Sequence, residues 1–428
     1  MSKYRKYQFL YIAADIVSSM LVWLCFLLFR WMVYEGRVFG FDTVLIPAFD
    51  FYKPLYIYPI ACLIVYYLSG YYLRPLNRKL TREFLQTLLS AFVISLGAFF
   101  VIIIDDIIVD SDYSRYLLSL GVLFSLQFLL CYIVRLVVTL LTRAHVDRRS
   151  FTIHNRSELT SFYTAHQVLP FDEVIIDLPD GSAEREVYEI INEVYPSHVD
   201  ILVAPRLFDL LSGAASIGEL NAKPMIRISD LNMSDAEVCI KRAFDVLMSL
   251  LFLIVLSPVY AAIAIAVKLS SAGPVLYRQE RIGLYGKAFD ILKFRTMYSN
   301  SEGETPQLTQ DNDPRITPVG AFLRKYRLDE LPQMLNILLG QMSFVGPRPE
   351  RMFFIEQIVK QAPYYCLLYK VRPGLTSWGP IRVGYTDTME KMIQRLNYDI
   401  VYMENMSILL DVKIMFYTIG VILDGKGK

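Results

Sequence analysis

The chain has 428 residues, of which 54% are hydrophobic and 20% charged, so it is more apolar than an average soluble protein. Its 43 Lys and Arg residues are balanced by 42 Asp and Glu residues, which argues against a dedicated nucleic-acid-binding protein. The five cysteines form no C-x-x-C pair and the four histidines all lie between residues 145 and 198, so neither a disulfide framework nor a zinc site is predicted.

Four apolar runs in the first third of the chain have the composition of helices that cross a hydrocarbon core about 30 Å thick. They are Ile16–Phe29, which extends to Met32, and Leu55–Leu73, Phe84–Ile104 and Tyr116–Val134. Residues 1–146 are therefore predicted to form a four-helix transmembrane bundle with almost no intramembrane polar groups. Asp15 lies beside the basic N-terminus, and we interpret it as an interfacial residue rather than a functional intramembrane carboxylate.

Positive charge is concentrated on one side of the predicted spans, whereas the other two loops are poor in Lys and Arg. Lys and Arg precede the first span, fill the loop between the second and third, and follow the fourth, at Lys3, Arg5, Lys6, Arg74, Arg78, Lys79, Arg82, Arg143, Arg148 and Arg149. Because such residues are enriched on cytoplasmic loops, both ends of the bundle are predicted to face the cytoplasm.

Residues 147–235 show short apolar runs that alternate with amphipathic ones, which predicts a small α/β, Rossmann-like module with a parallel sheet. The predicted strands are Phe151–Ile153, Glu173–Asp177, Val199–Val203 and Met225–Ile228, and the predicted helices are Glu184–Tyr195 and Leu207–Leu211. The first strand is followed by His154-Asn155-Arg156-Ser157, without the glycines that let a pyrophosphate approach the backbone. Nucleotide binding is therefore not expected in this degenerate module.

A fifth apolar run, Val246–Val267, is long enough to cross a membrane, but positive charge lies on both sides of it, at Lys241, Arg242 and Lys268. Ser257-Pro258 stands at its midpoint, where proline breaks the helical hydrogen bonding. A kinked helix that enters and leaves by the cytoplasmic face fits both observations. A plain fifth span with a tolerated proline is the alternative.

The segment after residue 278 is rich in basic residues, which beside a membrane could simply attract anionic lipid. Lipid attraction would not require Pro347-Arg348-Pro349, which fixes the backbone on either side of one guanidinium and suits bidentate phosphate recognition.

Leucines at positions 328, 331, 335 and 338 recur at helical spacing, so the sequence predicts a helix with Asp329 and Glu330 off its apolar stripe. Adjacent helical residues diverge, which is unsuitable for the facing carboxylates of a glycosidase. The arrangement suits one carboxylate as nucleophile and its neighbour as metal ligand or orienting group. Two solvated charges on an exposed face are the alternative.

Seven ordered motifs together resemble those of the bacterial sugar transferases, the polyprenyl-phosphate glycosylphosphotransferases or monotopic phosphoglycosyl transferases. They are Lys241-Arg242-x-x-Asp245, Ser257-Pro258, Lys293–Met297, Asp313–Thr317, Leu328–Gln333, Met342–Pro349 and Arg372–Thr376. The resemblance covers about residues 241–424, including Tyr398-Asp399 and Asn405-x-Ser407-x-x-x-Asp411. With the leading spans and the α/β module, the chain resembles the long form of the family, which includes undecaprenyl-phosphate glucose and galactose phosphotransferases.

The resemblance implies a bacterial inner-membrane enzyme whose catalytic domain, residues 236–428, is α-rich, faces the cytoplasm and carries a re-entrant helix broken at Ser257 and Pro258. Asp329 would take a phosphosugar from a UDP-sugar, releasing UMP, and pass it to undecaprenyl phosphate. This reaction would initiate exopolysaccharide, capsule or O-antigen synthesis at the membrane lipid, with Mg²⁺ as cofactor.

The resemblance also assigns individual residues. Glu330 would help Asp329 bind Mg²⁺ or would orient it, and Arg348, Lys293, Arg295 and Arg315 would contact phosphate. Arg372, Pro373, Gly374 and Thr376 would form a nucleotide-sugar loop. The sequence departs from the family where Ser377-Trp378-Gly379-Pro380 replaces the frequent Gly-Leu-Trp-Gln, so sugar specificity cannot be transferred from other members.

Two alternative functions stay open: a phospho-N-acetylaminosugar transferase of the same fold, and a catalytically silent membrane scaffold. Asp329 and Glu330, called the acid pair below, and Arg348 are all retained, which argues against the scaffold. The identity of the sugar, the polymer, a homo-oligomeric state and the role of the α/β module are likewise left open by the sequence.

Overall fold

A computed structural model describes most of the chain, namely residues 3–30, 32, 53–72, 80–106, 113–144, 149–168, 171–179, 182–197, 199–205, 225–228, 233–298, 313–384 and 388–423. Its contacts define two compact units. The first comprises Met1–Asp147 and Val238–Ala243, and the second comprises Arg148–Glu237 and Phe244–Lys428.

Apolar helices dominate the first unit. They are α1 (Lys3–Arg30), α2 (Lys53–Leu68), α3 (Leu80–Asp106) and α4 (Tyr113–Ala144). Among the described residues, three straight helices contain segments long and apolar enough to cross a membrane, at Tyr7–Arg30, Leu80–Phe100 and Leu117–Thr142. Many of their apolar side chains are exposed, including Leu28, Phe92 and Leu141, as expected for side chains that face lipid. The first unit therefore supports the prediction of a membrane protein.

The second predicted span is shorter than the sequence indicated. The run Leu55–Leu73 predicted one long helix, but α2 ends at Leu68 and the chain turns through Ser69–Tyr72. Gly70 adopts φ = 78°, the left-handed conformation that commonly ends a helix. Tyr71, which follows Gly70, is 1% exposed. The apolar residues after Leu68 therefore pack a buried turn and do not extend the helix.

A buried ion pair lies inside the bundle. Arg135 Nε is 2.7 Å from Asp15 Oδ1, and both side chains are fully buried. The interpretation of Asp15 as an interfacial residue is therefore wrong, because α1 begins at Lys3 and carries Asp15 into the bundle. Likewise, α4 continues past the end of the fourth apolar run at Val134 and brings Arg135 into a candidate span.

The Arg135 guanidinium connects the helices of the bundle. Its Cζ atom lies 3.8 Å from the ring centroid of Tyr66 and 3.7 Å from that of Tyr71, and its Nη1 donates to Thr87 Oγ1 at 2.9 Å. Tyr72 Oη donates a further hydrogen bond to Asp15 Oδ2 at 2.8 Å. Polar contacts of this kind hold helices together where lipid supplies no hydrophobic driving force between them.

The short segment Val238–Ala243 of the first unit contributes a helix cap. Arg242 Nε donates to the carbonyl oxygen of Leu68, the last residue of α2, at 2.6 Å. A cation at a helix C-terminus is favoured by the partial negative charge of the free carbonyl groups.

A four-stranded sheet forms the core of the predicted α/β module. Strands β1 (Ser150–Ile153), β2 (Glu173–Ile176) and β3 (Asp200–Val203) are parallel, and β4 (Ile226–Arg227) pairs antiparallel with β3. Helix α5 (Glu158–Val168) follows β1 and helix α6 (Glu184–Val194) follows β2. The antiparallel fourth strand differs from the expected parallel sheet, so the Rossmann-like architecture is not confirmed. The predicted helix Leu207–Leu211 lies outside the described residues.

An acidic side chain occupies the position after β1 where a phosphate-binding loop would lie. Glu158 accepts hydrogen bonds from the His154 backbone N–H at 2.8 Å and from Asn155 Nδ2 at 3.0 Å. A carboxylate there takes the donors that an anion would use and repels phosphate. This contact supports the prediction that the module does not bind a nucleotide at this loop.

The module packs against a 3-10 segment, Pro363–Lys370, within the second unit. Cys366 is fully buried in the hydrophobic core of the module, and the Tyr195 and Tyr369 ring centroids are 5.4 Å apart. Asn192 Nδ2 also donates to the Pro363 carbonyl oxygen.

The fifth apolar run forms two helices, α7 (Asp235–Val255) and α8 (Ser257–Ser270), whose axes are bent by 63°. The predicted break at Ser257-Pro258 is confirmed, because Pro258 lies in the first turn of α8, where its missing N–H is not required. A broken span and a re-entrant helix both fit this geometry.

The remaining elements of the second unit are short. They are β5 (Leu276–Ile282), β6 (Ala288–Phe294), α9 (Pro318–Lys325), α10 (Gln333–Leu338), β7 (Ser343–Val345), α11 (Met352–Gln361), β8 (Gly374–Thr376), α12 (Trp378–Val383), α13 (Met389–Glu404) and α14 (Ile408–Leu423). β5 and β6 form an antiparallel hairpin, and β7 pairs in parallel with β8.

Candidate active site

The acid pair lies in a tight turn rather than on a regular helix. The leucine spacing predicted one helix through residues 328–338, but the structure has a 3-10 turn at Leu328–Glu330, then Pro332, then α10. Asp329 and Glu330 are only 8% and 9% exposed, which excludes the alternative of two solvated charges. The helix prediction fails over its first residues because proline cannot donate the backbone hydrogen bond that would continue the turn.

Three cations surround the carboxylate of Glu330. Lys293 Nζ lies 3.0 Å from Oε1, Arg348 Nη2 lies 3.8 Å from the same oxygen, and Arg327 Nη1 lies 3.6 Å from Oε2. The structure thus brings together two of the predicted phosphate contacts, Lys293 and Arg348. Arg327 was not predicted as a site residue.

The Asp329 carboxylate differs from its neighbour because it forms no ion pair within 4.0 Å among the described residues. Burial raises its pKa to about 6; Lys293 and Arg324 oppose the shift, whereas the charge of Glu330 adds to it. For Glu330, burial also favours the neutral form, but Lys293, Arg348 and Arg327 outweigh it and hold the pKa well below its usual range. The two adjacent carboxyl groups therefore have opposite electrostatic environments.

Asn336 fixes the strand that carries Lys293. Its Oδ1 accepts from the Leu292 backbone N–H at 3.0 Å, and its Nδ2 donates to the Asp290 carbonyl oxygen at 2.7 Å. Asn336 lies on α10, which follows the 3-10 turn Leu328–Glu330 that carries the acid pair, called the acid turn below. These bonds therefore connect β6 to the acid pair. Asn336 was not predicted as a site residue, although a polar side chain within a short apolar helix is a detectable signal.

The Pro-Arg-Pro loop is fixed by hydrogen bonds on both sides of Arg348. The Pro347 carbonyl oxygen accepts from the Gly374 N–H at 2.9 Å, and the Pro349 carbonyl oxygen accepts from Arg281 Nη1 at 3.2 Å. Glu350, the next residue, forms ion pairs with Arg281 at 3.2 Å and with Arg395. The loop therefore presents the Arg348 guanidinium from a rigid backbone.

The predicted nucleotide-sugar loop supports this same region. Gly374–Thr376 forms β8, and a Cβ added at Gly374 would lie 2.2 Å from the Gly346 nitrogen, so only glycine fits. Pro373 accepts from the Ser343 N–H at 2.9 Å, and Arg372 Nε donates to the Gly340 carbonyl oxygen at 2.9 Å. Nucleotide contact by these residues remains a prediction.

Two other predicted phosphate contacts have different partners. Arg295 donates to the carbonyl oxygens of Val267 at 3.4 Å and Ser271 at 2.6 Å, at the C-terminal end of α8. Arg315 Nη2 pairs with Asp313 Oδ2 at 2.5 Å. Neither arginine forms an ion pair with the acid pair in the part of the chain that the structure describes, so their role as phosphate contacts remains a prediction.

The kinked helices hold the site from the other side. Tyr260 on α8 donates through Oη to the Leu331 carbonyl oxygen at 2.7 Å, directly after the acid pair. Asp245 on α7 accepts from the Phe344 N–H at 3.0 Å and from Ser343 Oγ at 3.1 Å, which fixes β7. The break at Ser257 and Pro258 therefore lies between two anchor points of the site.

The predicted magnesium ligands, Asp329 and Glu330, fit only a partly built ion site. No group of three or more His, Cys, Asp or Glu side chains that could hold a metal occurs among the described residues. Mg²⁺ is commonly held by one or two protein carboxylates together with substrate phosphate oxygens. Glu330 Oε1 already contacts Lys293, so Asp329 is the more available ligand and substrate oxygens would have to supply much of the rest.

Asp399 is a buried acceptor that holds the Arg348 backbone. It accepts from the Gly379 N–H at 2.9 Å, the Arg348 N–H at 3.4 Å and Ser377 Oγ, and it is 2% exposed. Burial raises its pKa, while the hydrogen bonds from Ser377 and Gly379 oppose the shift. Two of these donors lie in the Ser377-Trp378-Gly379-Pro380 departure, which gives that sequence a structural role.

Replacing Asp399 with Asn is expected to lower the free energy of unfolding by about 1–3 kcal/mol. Ser377 and Gly379 donate to one carboxylate oxygen and Arg348 donates to the other, so the amide nitrogen of Asn would face at least one N–H donor that it cannot accept from. Thermal unfolding of the purified protein in detergent would measure the change. Glu390→Gln, the same type of change at an exposed position of α13, is the control. Equal melting temperatures for the two variants would contradict the role of Asp399.

Comparison with known proteins gives one family. The family model described as "Bacterial sugar transferase" matches residues 236–425. A UDP-glucose:undecaprenyl-phosphate glucose-1-phosphate transferase of Escherichia coli strain K12 is 38% identical over 248 residues, which is 58% of this chain and 53% of that protein.

Two further relatives extend the comparison. A UDP-N-acetylgalactosamine-undecaprenyl-phosphate N-acetylgalactosaminephosphotransferase of Aeromonas hydrophila is 36% identical over 257 residues, which is 60% of each chain. The exopolysaccharide production protein PSS of Rhizobium leguminosarum bv. phaseoli is 40% identical over 201 residues, 45% of this chain but 99% of that protein. The chain thus spans little more than half the length of the longer relatives and nearly the whole of the short one.

Proposed function

The chain belongs to the bacterial sugar transferase family, and we propose that it transfers a sugar-1-phosphate from a UDP-sugar to undecaprenyl phosphate through a covalent intermediate on Asp329. The product would be the first lipid-linked intermediate of an exopolysaccharide, capsule or O-antigen. The names of the relatives from E. coli, A. hydrophila and R. leguminosarum support the lipid acceptor and the exopolysaccharide context.

The proposed mechanism rests mainly on one observation in the acid turn. Asp329 forms no ion pair among the described residues, whereas the adjacent Glu330 lies within 4.0 Å of three cationic side chains. Asp329 has no cationic partner within 4.0 Å among the described residues and is poorly solvated, both of which favour attack on phosphorus. Lys293, Arg327 and Arg348 lie around Glu330, one residue away, where they can stabilise charge on phosphoryl oxygens. A silent scaffold would not require this separation of roles.

The reaction proceeds in two displacements. In the first, an Asp329 carboxylate oxygen bonds to the phosphorus that carries the sugar, and the bond from that phosphorus to the bridging oxygen breaks, so UMP leaves with the electron pair. In the second, an undecaprenyl phosphate oxygen bonds to the same phosphorus and the Asp329 carboxylate is released. Lys293 and Arg348 would hold the phosphoryl oxygens in both steps.

Magnesium, the proposed cofactor, would neutralise charge on the diphosphate, with Asp329 and Glu330 as the protein ligands. Arg295 and Arg315 are proposed phosphate contacts only through substrate-induced movement, since both have other partners.

Incubation of the purified protein with undecaprenyl phosphate and a panel of UDP-sugars tests the proposal. The panel includes UDP-glucose, UDP-galactose and UDP-N-acetylgalactosamine, because the relatives differ in the sugar that their names specify. We expect one donor to yield UMP and a lipid-linked product, and a donor labelled in its sugar-bearing phosphate to label the protein when the acceptor is omitted. A folded protein that gives neither product with any donor would favour the scaffold alternative.

The first displacement is expected to lose rate in acid because Asp329 must be ionised to attack. Its pKa is raised to about 6, so the neutral form predominates below that pH, and the rate should fall about tenfold per pH unit there. Glu330 keeps its charge over the same range, since its pKa is held well below the usual value. Single-turnover release of UMP between pH 5 and 8 measures this dependence, and an equal rate at pH 5 and pH 7 would contradict it.

The catalytic domain is proposed to lie on the cytoplasmic face of the inner membrane, with α7 and α8 forming a re-entrant helix. The bend of 63° at Ser257-Pro258 is compatible with this topology, and the positive charge of Lys241, Arg242 and Lys268 on both sides of the run favours it over a crossing. In a background without native cysteines, Ser234→Cys and Ala288→Cys should both be protected from a membrane-impermeant thiol reagent in intact cells and both react after lysis. Labelling of the Ala288→Cys variant but not of the Ser234→Cys variant in intact cells would mean that α7 and α8 together cross the membrane.

A further inference from the structure

The residue before the acid turn has an unusual backbone. Arg327 adopts φ = 54° and ψ = 25°, a left-handed conformation, two residues after α9 ends. Its N–H donates to the Arg324 carbonyl oxygen at 3.1 Å, as at a helix C-terminus where glycine is strongly preferred. An arginine is disfavoured here by contact between its Cβ and its own backbone. Its presence therefore calls for a function of its side chain.

The Arg327 side chain reaches the acid pair from a side that no other described cation occupies. Its Nη1 lies 3.6 Å from Glu330 Oε2, whereas Lys293 and Arg348 approach Oε1. The Arg327 side chain is 34% exposed, compared with 30% for Arg348 and 19% for Lys293. It is thus the most solvent-accessible of the three cations and the one most able to exchange Glu330 for an incoming anion.

We propose that Arg327 is a substrate-binding residue whose guanidinium contacts the diphosphate of the nucleotide-sugar donor, opposite Lys293 and Arg348. This inference rests on the proposed function and deepens it. A planar guanidinium can bind two phosphate oxygens at once, which gives both charge neutralisation and orientation. Negative charge develops on the departing UMP in the first displacement, and Arg327 stabilises that charge.

A purely conformational role for residue 327 makes the opposite prediction. If the position served only to turn the backbone, Gly would suit the left-handed conformation best, Asn next, and Lys would be as strained as Arg. Activity would then rank Gly and Asn at or above the wild type. If the guanidinium binds diphosphate, activity follows charge instead, and Lys ranks above Gly and Asn.

Three substitutions in the full-length protein separate these roles: Arg327→Gly, Arg327→Asn and Arg327→Lys. We expect Gly and Asn to lower kcat/KM for the UDP-sugar roughly tenfold or more, and Lys to lower it less. The KM for undecaprenyl phosphate should stay unchanged in all three. The melting temperatures of the Gly and Asn variants should not fall below that of the Lys variant, since both residues relieve backbone strain. Lys325→Gln, which removes an exposed charge from the same turn, is the matched control.

Direct binding keeps the inference separate from the function on which it rests. Affinity is measured for UDP and for inorganic diphosphate in the absence of turnover. Weaker binding of both probes by the Gly and Asn variants, with Lys325→Gln at the wild-type level, supports the role of Arg327 even if no UDP-sugar is turned over. Wild-type affinity or activity in the Gly variant overturns the inference and leaves the proposed transferase function untouched. A wild-type protein that binds neither probe overturns both.

Discussion

Asp329→Asn is expected to abolish phosphosugar transfer, with a rate loss of about ten-thousandfold or more, because an amide cannot form the acyl phosphate that links the two displacements. Glu330→Gln should keep a measurable rate, since Glu330 gathers cations but forms no bond to phosphorus. Protein labelling by a donor carrying a labelled sugar-bearing phosphate would be absent in Asp329→Asn and present in Glu330→Gln.

The Asp329 variant should remain folded, which separates chemistry from stability. The folded-state pKa of about 6 lies above the ordinary value for Asp, so ionisation of this buried group opposes folding. The stability contributed by the neutral form is fully present below the unfolded pKa and is lost as the pH rises through about 6. An uncharged Asn avoids that loss, so the variant should melt at or above the wild-type temperature at pH 7.5.

Asp290→Asn is the matched control for the Asp329 variant, because it removes an exposed carboxylate from β6 by the same substitution. It should transfer phosphosugar at the wild-type rate. Equal residual activity in folded Asp329→Asn and Glu330→Gln proteins would reject the assignment of Asp329 as the nucleophile.

Arg135→Met is expected to destabilise the first unit by about 3–5 kcal/mol, because it leaves Asp15 buried with no cation among the described residues. Two tyrosine rings and Thr87 also lose their contacts with the guanidinium. The apparent melting temperature in detergent should fall by roughly 6–20 °C, at about 2–4 °C per kcal/mol.

A double-mutant cycle tests whether the effect belongs to the ion pair. Asp15→Asn in the Arg135→Met background should restore part of the lost stability, because a neutral amide is less costly to bury than an uncompensated carboxylate. Arg82→Met on α3, a position only partly buried, is the control and should change the melting temperature far less. Additive effects of the Asp15 and Arg135 substitutions would show that the pair is not coupled.

Local sequence patterns predicted the elements whose cause is local. Apolar runs gave the helices of the first unit because burial in lipid depends on composition along one segment. Ser257-Pro258 gave the break between α7 and α8 because proline acts on its own turn. In the loop after β1, the absence of glycine predicted that no phosphate binds, and there the Glu158 carboxylate accepts from the His154 backbone N–H.

Sequence-based predictions were wrong where the environment of a residue depends on a partner far away in the chain or on an irregular backbone. Asp15 was predicted to be interfacial because the N-terminal residues before the first apolar run are basic, but it is buried in an ion pair with Arg135, 120 positions away. The leucine spacing around Asp329 imitated a helix, whereas Pro332 and the left-handed Arg327 impose a turn.

The sequence by itself determined the membrane character of the chain, the broken fifth run and, through ordered motifs, the family and the acid pair. Only the tertiary structure decided that Glu330 gathers Lys293, Arg327 and Arg348 while Asp329 stays free of ion pairs within the described residues. The physical reason is that charge pairing and desolvation depend on distances between segments far apart in the chain. The sequence shows which charged residues are present, but only the fold determines which of them form ion pairs.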